Sequence, residues 1–463
     1  MTPEQKRAML AQLLKQKTSV TKTAFMLQTL FLDILIAGAP VWNMSSTVRL
    51  FNKVDPELMR ARMQKVIDRH PSLRTTYEIP LPRQLGLQSK VFLLRMGTLR
   101  LHDLYLDTYV EQRIHPEHTL DFSCVDATDW SAERLRQRLV DDAQQPYDIT
   151  QLPVCRLRIY QCANYDVMQL DIHHCVADLW SLELIMAELE EPSDTPLQAS
   201  FAEFCTWQHA WFALPKAAEM RRWWQKYLRG CPPMVVGPSH GKDPADVVLF
   251  RLDAEIVAQA RLACRVHKVT LFNLLLSTMQ ATLGRALGLN DFSIGGVMAN
   301  RPNHRFEDTV GFFSHFVMYR CNLTEIPSWE DLWTQNRATL TEIMDRHFYP
   351  VVCLPLPRTD FYISFHQYKK ARWIEHDVPQ GDSLGVRSGG VVDSPLGPWE
   401  FLFIEAPYTS APVMFELLEQ KDGIQGVLRF RIPCFSRERG EFYARDFQDR
   451  FRASLADPSA PIS

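Results

Sequence analysis

The sequence predicts an α+β protein built as two lobes, and three observations carry that prediction. An alternating hairpin, Val154–Gln161 and Val167–Ile172, runs directly into an apolar-striped helix. The second half repeats the mixture, with helical stretches Ala254–His267 and Leu271–Leu287 ahead of a strand at Ile294–Met298. The 463 residues are 46% hydrophobic and 23% charged, ordinary globular composition with length for more than one core. Disordered and fibrous classes are thereby excluded.

Fifty-one Lys and Arg nearly balance 54 Asp and Glu, for a net charge of -3, which argues against a general nucleic-acid binder. The ten cysteines form no C-x-x-C pair, so zinc and redox readings have no support, and they are expected as mostly buried thiols in a reducing cytoplasm. Met1–Lys17 is charged, without the apolar stretch of a secretory signal. The longest apolar run, Ala24–Ala37, is about 14 residues and includes Gln28, Thr29 and Asp33, too short and polar to span a membrane.

In chain order, Pro3–Gln16 has helical spacing, and a second helix is expected over Pro56–Arg69. Asp55 caps that helix, Leu58, Met59, Met63, Val66 and Ile67 stripe it, and Pro71 ends it. Val91–Arg95 reads as a strand and Ser131–Ala143 as a helix. The hairpin turns at Ala163–Asp166, and Arg156 and Arg158 on its first strand are expected to face solvent or the other lobe. A helix follows over Trp180–Glu190, then a linker at Glu191–Thr195, which sets lobes of 1–190 and 191–463. Aromatic helices follow at Phe201–Phe212 and Ala217–Tyr227, and a loop at Gly237–Ala245. Phe361–Phe365, Val413–Leu418 and Gly426–Ile432 read as strands, closed by a helix over Arg437–Phe451.

The segment richest in chemistry is Asp171-Ile172-His173-His174-Cys175-Val176-Ala177-Asp178-Leu179-Trp180-Ser181. Neighbours on a strand point to opposite faces, so His173 and His174 take different roles, one in packing and one toward a cleft. An imidazole takes or gives a proton at cytoplasmic pH. Taken alone, a His-His pair at a strand end more often serves packing. Metal binding has less support, because the two rings diverge and no other His or Cys stands at ligand spacing.

This segment resembles the His-His-x-x-x-Asp-Gly signature of nonribosomal peptide synthetase condensation domains, in the chloramphenicol-acetyltransferase-like superfamily. Other segments match in the same order. Arg69-His70-Pro71-Ser72-Leu73-Arg74-Thr75-Thr76-Tyr77 resembles the family's Arg-His-x-x-Leu-Arg-Thr-x-Phe, and Pro146-Tyr147-Asp148-Ile149 its Pro-Phe-Asp-Leu. Phe201–Arg229 resembles its aromatic helix, and Ile294–Arg301 and Val310–Arg320 its later signatures. An aromatic at Trp180 is similar to condensation domains that work beside polyketide modules. There are departures. Leu179 stands at the family glycine, His315 at the usual asparagine, and the N-terminal signature is lost over Ala24–Leu32.

The resemblance implies two α/β two-layer sandwich lobes forming a V-shaped pseudodimer around a central tunnel. It implies that His174 is catalytic, taking the nucleophile's proton or holding the nucleophile and stabilising the tetrahedral intermediate. His173, Asp178, Arg74 and Ser181 support it, with Asp178 paired to Arg74, and Leu179, Trp180 and His315 line the tunnel. The donor is an acyl thioester on the phosphopantetheine of a carrier protein. The acceptor is an amine or hydroxyl, on a second carrier or on a free small molecule. The enzyme itself binds no cofactor and no metal, and works as a monomer without nucleic acid or membrane. These 463 residues carry no adenylation, carrier or thioesterase segment, which leaves a free-standing enzyme or an excised domain, and Met1 makes the free-standing enzyme the expectation.

Alternatives within the superfamily are an epimerisation domain and a coenzyme A-dependent acyltransferase. The latter often carries an Asp-Phe-Gly-x-Gly loop, absent here, and no basic cluster near the histidines awaits a 3′-phosphate. A non-catalytic recruitment domain is the reading from another class, and such domains tend to lose the histidine pair. Gly381-Asp382-Ser383-Leu384 spells a carrier attachment sequence and a lipase signature. Pro379, Gly385, Gly389 and Gly390 around it indicate a loop instead.

Overall fold

The computed structural model describes residues 19–37, 41–79, 110–238, 243–367, 373–374, 386–404 and 407–462. The expected helix at Pro3–Gln16, the strand at Val91–Arg95 and the Gly381–Leu384 loop lie outside these residues.

Strand β1 (Ser19–Lys22) leads into helix α1 (Phe25–Ala37) and strand β2 (Asn43–Leu50). Helix α2 (Pro56–Arg69) starts where the Asp55 carboxylate accepts from the Glu57 amide at 2.9 Å, and it turns Met59, Met63, Val66 and Ile67 inward. Pro71 ends it and opens a 3₁₀ turn into β3 (Thr75–Glu78). Strand β4 (Glu111–Ile114) completes a small sheet ordered β1-β4-β3. Then come β5 (Asp121–Asp126), α3 (Ala132–Ala143), the hairpin β6 (Cys155–Gln161) and β7 (Asp166–His173), and α4 (Leu179–Glu190).

Helix α5 (Phe201–Phe212) opens on a reciprocal cap between Ser200 and Glu203 and is followed by α6 (Pro215–Tyr227). Next are β8 (Ala245–Asp253), α7 (Ala254–His267) and α8 (Leu271–Leu287), which ends at Gly288 with φ of 64°. Strands β9 (Asp291–Met298) and β10 (His315–Asn322) precede α9 (Trp329–Met344) and β11 (Phe361–Gln367). The chain continues through β12 (Trp373–Ile374), β13 (Val386–Val392), β14 (Trp399–Phe403), β15 (Val413–Gln420), β16 (Gly423–Arg431) and α10 (Arg437–Ala456).

These elements make two large mixed sheets. One is ordered β10-β9-β11-β15-β16-β8 and the other β12-β13-β14-β2-β7-β6-β5. The second sheet is assembled from both halves of the chain, because β14 pairs antiparallel with β2, Trp399 opposite Leu50. A buried ion pair, Arg49 with Glu400, fixes that join, and the Trp399 indole donates to Glu190 at 2.8 Å. The first core likewise draws Phe201, Phe204, Phe306, Phe312 and Phe313 from beyond the linker, packing them with Leu157, Leu170 and Ile172. The second core, around Trp224, Leu275, Trp333 and Phe415, lies wholly beyond it.

Several elements escape a reading by local pattern. The apolar run at Phe25–Ala37 is a helix that buries Leu27 and Leu30 in the first core, not merely a segment too short for a bilayer. Ala245 begins a strand rather than closing a loop, and Asp121–Phe122 open an edge strand. Strand β2 reads as polar because Thr47 and Arg49 are buried in a polar layer under α3, whose rim is the exposed Ser45. There Gln169 donates to Ser45 Oγ at 3.2 Å and to the Leu139 carbonyl at 2.8 Å. Arg158, expected to face solvent or the other lobe, is instead buried in that layer on Asp171 at 2.9 Å. Arg156 lies over the Tyr147 ring at 4.0 Å. The cysteines form no disulfide among the described residues, and most are buried. Among the described residues, no helix is long and apolar enough to cross a membrane.

The Arg49–Glu400 pair generates a prediction. Both side chains are almost fully buried, 2% and 4% exposed, so removing one strands the other's charge. Glu400→Ala is expected to lower the unfolding free energy by about 3–5 kcal/mol. The apolar double replacement Arg49→Met with Glu400→Leu should restore most of it, both read by chemical denaturation.

Candidate active site

The turn between β7 and α4 holds the histidine pair, and the β7 pleat separates the two rings. His173 points toward Tyr147, ring centroids 6.0 Å apart, and its Nδ1 accepts from the Cys175 amide at 3.1 Å. Burial, with the neighbouring His174, pushes its pKa down to about 3, so it is a neutral structural ring.

His174 points the other way, between Phe312 at 4.8 Å and Trp42 at 5.8 Å between ring centroids. It is only partly buried, unlike His173. Its Nδ1 lies 2.8 Å from the Ala177 carbonyl. A carbonyl only accepts, so Nδ1 carries the proton and Nε2 of the neutral ring is left with its lone pair. Burial lowers the His174 pKa, and the Ala177 carbonyl and the Asp178 charge only partly offset it. The ring is therefore a neutral proton acceptor at pH 7.

Asp178 caps α4 and is buried, with both oxygens filled. Oδ1 accepts from Ser181 N at 2.9 Å, Ser181 Oγ at 2.7 Å and Arg301 Nη2 at 3.1 Å. Oδ2 accepts from Arg301 Nη1 at 3.1 Å, Phe313 N at 3.2 Å and Ser314 N at 3.1 Å. Burial alone raises its pKa, but the Arg301 charge and these donors outweigh it and hold the carboxyl below its ordinary value. Ser181 extends the clasp, its Oγ lying 2.9 Å from the Gly311 carbonyl and 3.0 Å from the Gly311 amide. Gly311 admits no side chain, since a Cβ there would lie 2.5 Å from the Phe201 ring.

The expected partner of Asp178 was Arg74, and this is corrected: the cation is Arg301. Arg74 ends the 3₁₀ turn before β3 and donates to the His115 carbonyl, while burial lowers its pKa with Asp68 as the nearby charge. Both arginines lie in segments that resemble family signatures, but only the tertiary fold brings Arg301 to this loop. Leu179 takes the first position of α4 without a positive φ and packs against the first core. Trp180 covers the ion pair rather than standing alone: its ring lies 5.2 Å from the Arg301 guanidinium carbon and its indole donates to the Glu307 carbonyl at 2.9 Å. His315 is buried on β10, 6.1 Å from the His347 ring, and burial pushes its pKa to about 3. Arg301, Gly311, Phe312 and Trp42 belong to the site and were not singled out in the sequence. The only signal for Arg301 was its place at the end of a matching signature.

Comparison with known proteins gives a consistent result. The profile described as Condensation domain matches residues 90–355, more than half of the chain. Cyclosporin synthetase simA of Tolypocladium inflatum is 25% identical over 455 residues, covering 93% of this chain and 3% of the synthetase. Beauvericin nonribosomal cyclodepsipeptide synthetase of Beauveria bassiana is 25% identical over 457 residues, covering 94% of this chain and 13% of that protein. The chain thus spans only a small part of these relatives. Among solved structures, the condensation domain from Monacolin K polyketide synthase MokA superposes with a TM-score of 0.76 at 15% identity, covering 96% of this chain and 99% of that one. Likeness at that identity speaks for the fold: two chloramphenicol-acetyltransferase-like lobes.

The Asp178 clasp generates a second prediction. Arg301→Met or Asp178→Ala strands a buried charge and should cost about 3–5 kcal/mol of unfolding free energy. Arg74→Ala should cost clearly less, because its guanidinium meets a carbonyl and not the carboxylate. Thermal and urea unfolding of the three variants, side by side, checks the order.

Proposed function

Because the chain belongs to the condensation-domain family, we propose that it joins a carrier-protein-bound acyl thioester to an amine or hydroxyl acceptor in nonribosomal peptide or hybrid polyketide biosynthesis. The observation that carries the proposal is the His174 tautomer: Nδ1 is committed to Ala177, and Nε2 is a neutral base beside a rigid clasp. In this reading His174 Nε2 takes the proton as the acceptor attacks the thioester carbon. The tetrahedral intermediate then collapses, and the departing phosphopantetheine sulfur recovers the proton. A hydroxyl acceptor makes the reaction an ester-forming chain release; an amine gives an amide.

The lobe of residues 1–190 supplies the base and that of 191–463 supplies Arg301 and Phe312. Leu179 and His315 shape the substrate path, and Trp180 shields Arg301. The protein acts as a cytoplasmic monomer with carrier proteins as partners and without a bound cofactor. Arg301 is engaged by Asp178, so it is not free to meet the 3′-phosphate of coenzyme A. That favours carrier delivery over the coenzyme A-dependent alternative. The intact base favours catalysis over a recruitment role.

The test is intact-mass analysis of acyl-loaded carrier protein incubated with candidate amines and alcohols, with the same acyl group on coenzyme A in parallel. Loss of acyl from the carrier with product formation is expected, and His174→Ala should reduce it about 10²–10⁴-fold while remaining folded. Equal or better turnover from coenzyme A, or a fully active His174→Ala, would overturn the proposal.

The pH dependence follows from the lowered His174 pKa. The base must be unprotonated, and burial keeps it so below its ordinary pKa of 6.5. The acid limb of kcat/KM should therefore fall below pH 6.5, with little loss between neutrality and that point.

A further inference from the structure

Beside the His174 ring lies an indole whose donor is unused. The backbone sets its position: His174 N donates to the Trp42 carbonyl at 2.8 Å. Asn43, opposite His173 across β2 and β7, holds the strand start by donating to the carbonyls of Ala143 at 3.0 Å and Gln145 at 2.9 Å. Trp42 is 8% exposed, and its Nε1–H has no hydrogen-bond partner among the described residues. Other indoles here are satisfied: Trp180 donates to Glu307 at 2.9 Å, Trp224 to Arg346 at 3.2 Å and Trp399 to Glu190 at 2.8 Å. Trp333 shares the lack of a partner, but it sits deep in the second core, away from the histidine loop. An unpaired buried N–H costs stability, so its presence next to a reacting group calls for a reason.

The chemistry supplies one. Attack on a thioester turns its carbonyl oxygen into an oxyanion, which needs a donor already in place. Several donors around this loop are occupied: Arg301 Nη1 and Nη2 and the amides of Phe313 and Ser314 serve Asp178, the Gly311 amide serves Ser181, and His174 Nδ1 serves Ala177. Arg301 Nε shares with Trp42 the lack of a partner, but its guanidinium lies against the Trp180 and Phe313 rings, whereas the Trp42 ring lies against His174. The neutral Nε2 has no proton to offer before it takes the acceptor's.

We propose that the Trp42 indole N–H donates to the thioester carbonyl oxygen as it becomes an oxyanion, which makes Trp42 a catalytic residue alongside His174. This rests on the acyl-transfer reading above. In the step, the acceptor N–H or O–H loses its proton to His174 Nε2 while its lone pair bonds the carbonyl carbon. The carbonyl π pair moves onto oxygen and is held by Trp42 Nε1–H. When that pair returns, the carbon–sulfur bond breaks and the sulfur takes the proton from Nε2, giving acylated acceptor and free thiol.

The test replaces Trp42 with β-(3-benzothienyl)alanine, which keeps the ring shape and lacks the N–H, together with Trp42→Phe. Turnover is measured with acyl-loaded carrier protein, beside wild type and His174→Ala. The expected result for the isostere is a loss in kcat of about 10²-fold, with KM, melting temperature and the acid limb of the pH profile unchanged. Wild-type kcat in the isostere overturns the proposal, as does a change confined to KM. If Trp42→Phe fails to fold, the isostere decides alone. An inactive wild type or an active His174→Ala sinks the acyl-transfer reading itself, whereas an active wild type, a dead His174→Ala and a fully active isostere remove only Trp42.

Discussion

A buried carboxylate cannot be left without donors, and Asp178 meets that constraint by gathering them from both halves of the chain. Six hydrogen bonds reach its two oxygens, from Ser181, Arg301, Phe313 and Ser314. The first of these residues opens the helix that follows the histidines, and the others come from a loop more than a hundred residues later. Filling the carboxylate therefore docks that loop on the first core. Gly311 follows from the same closeness, since the Phe201 ring occupies the space of any side chain there. So does the place of Phe312, whose ring reaches His174 only because its neighbours are held by Asp178.

The two halves are joined a second time at the other side of the large sheet. Strand β14 inserts next to β2, and the Arg49–Glu400 pair closes the join inside a polar layer. Such a pair adds little net stability over an apolar equivalent, but a partner lost is expensive. Both joins thus act through charge satisfaction, while the aromatic residues of α5 and the 306–313 segment fill the space between them.

The chemistry of the candidate site follows from what these joins leave unused. The charged groups of the loop are all paired, so the site offers a reactant no free charge from Asp178 or Arg301. It offers a neutral imidazole with one lone pair, flanked by the rings of Trp42 and Phe312. Asp178 acts at a distance, by fixing the turn that presents Nε2, and its charge slightly raises a His174 pKa that burial lowers. Burial is the larger effect, and it keeps the base neutral.

Much of this was determined by the sequence alone. Helices such as Ala254–His267 and Leu271–Leu287 carry their own stripes and caps, and the β6–β7 hairpin alternates cleanly, so local pattern suffices for them. The order of signatures along the chain identified the family, and adjacent positions on a strand already required His173 and His174 to part. Strand β2 was hidden because Thr47 and Arg49 of its polar face are buried in a layer made by other segments, and a polar alternation looks the same whether water or protein covers it. The partner of Asp178 was beyond reach for the same reason. Arg74 and Arg301 are chemically identical, and charge says only that some arginine is needed. Which one arrives depends on how the loop after β9 crosses to the first core, a matter of packing between residues far apart in the chain, and only the tertiary structure decides it.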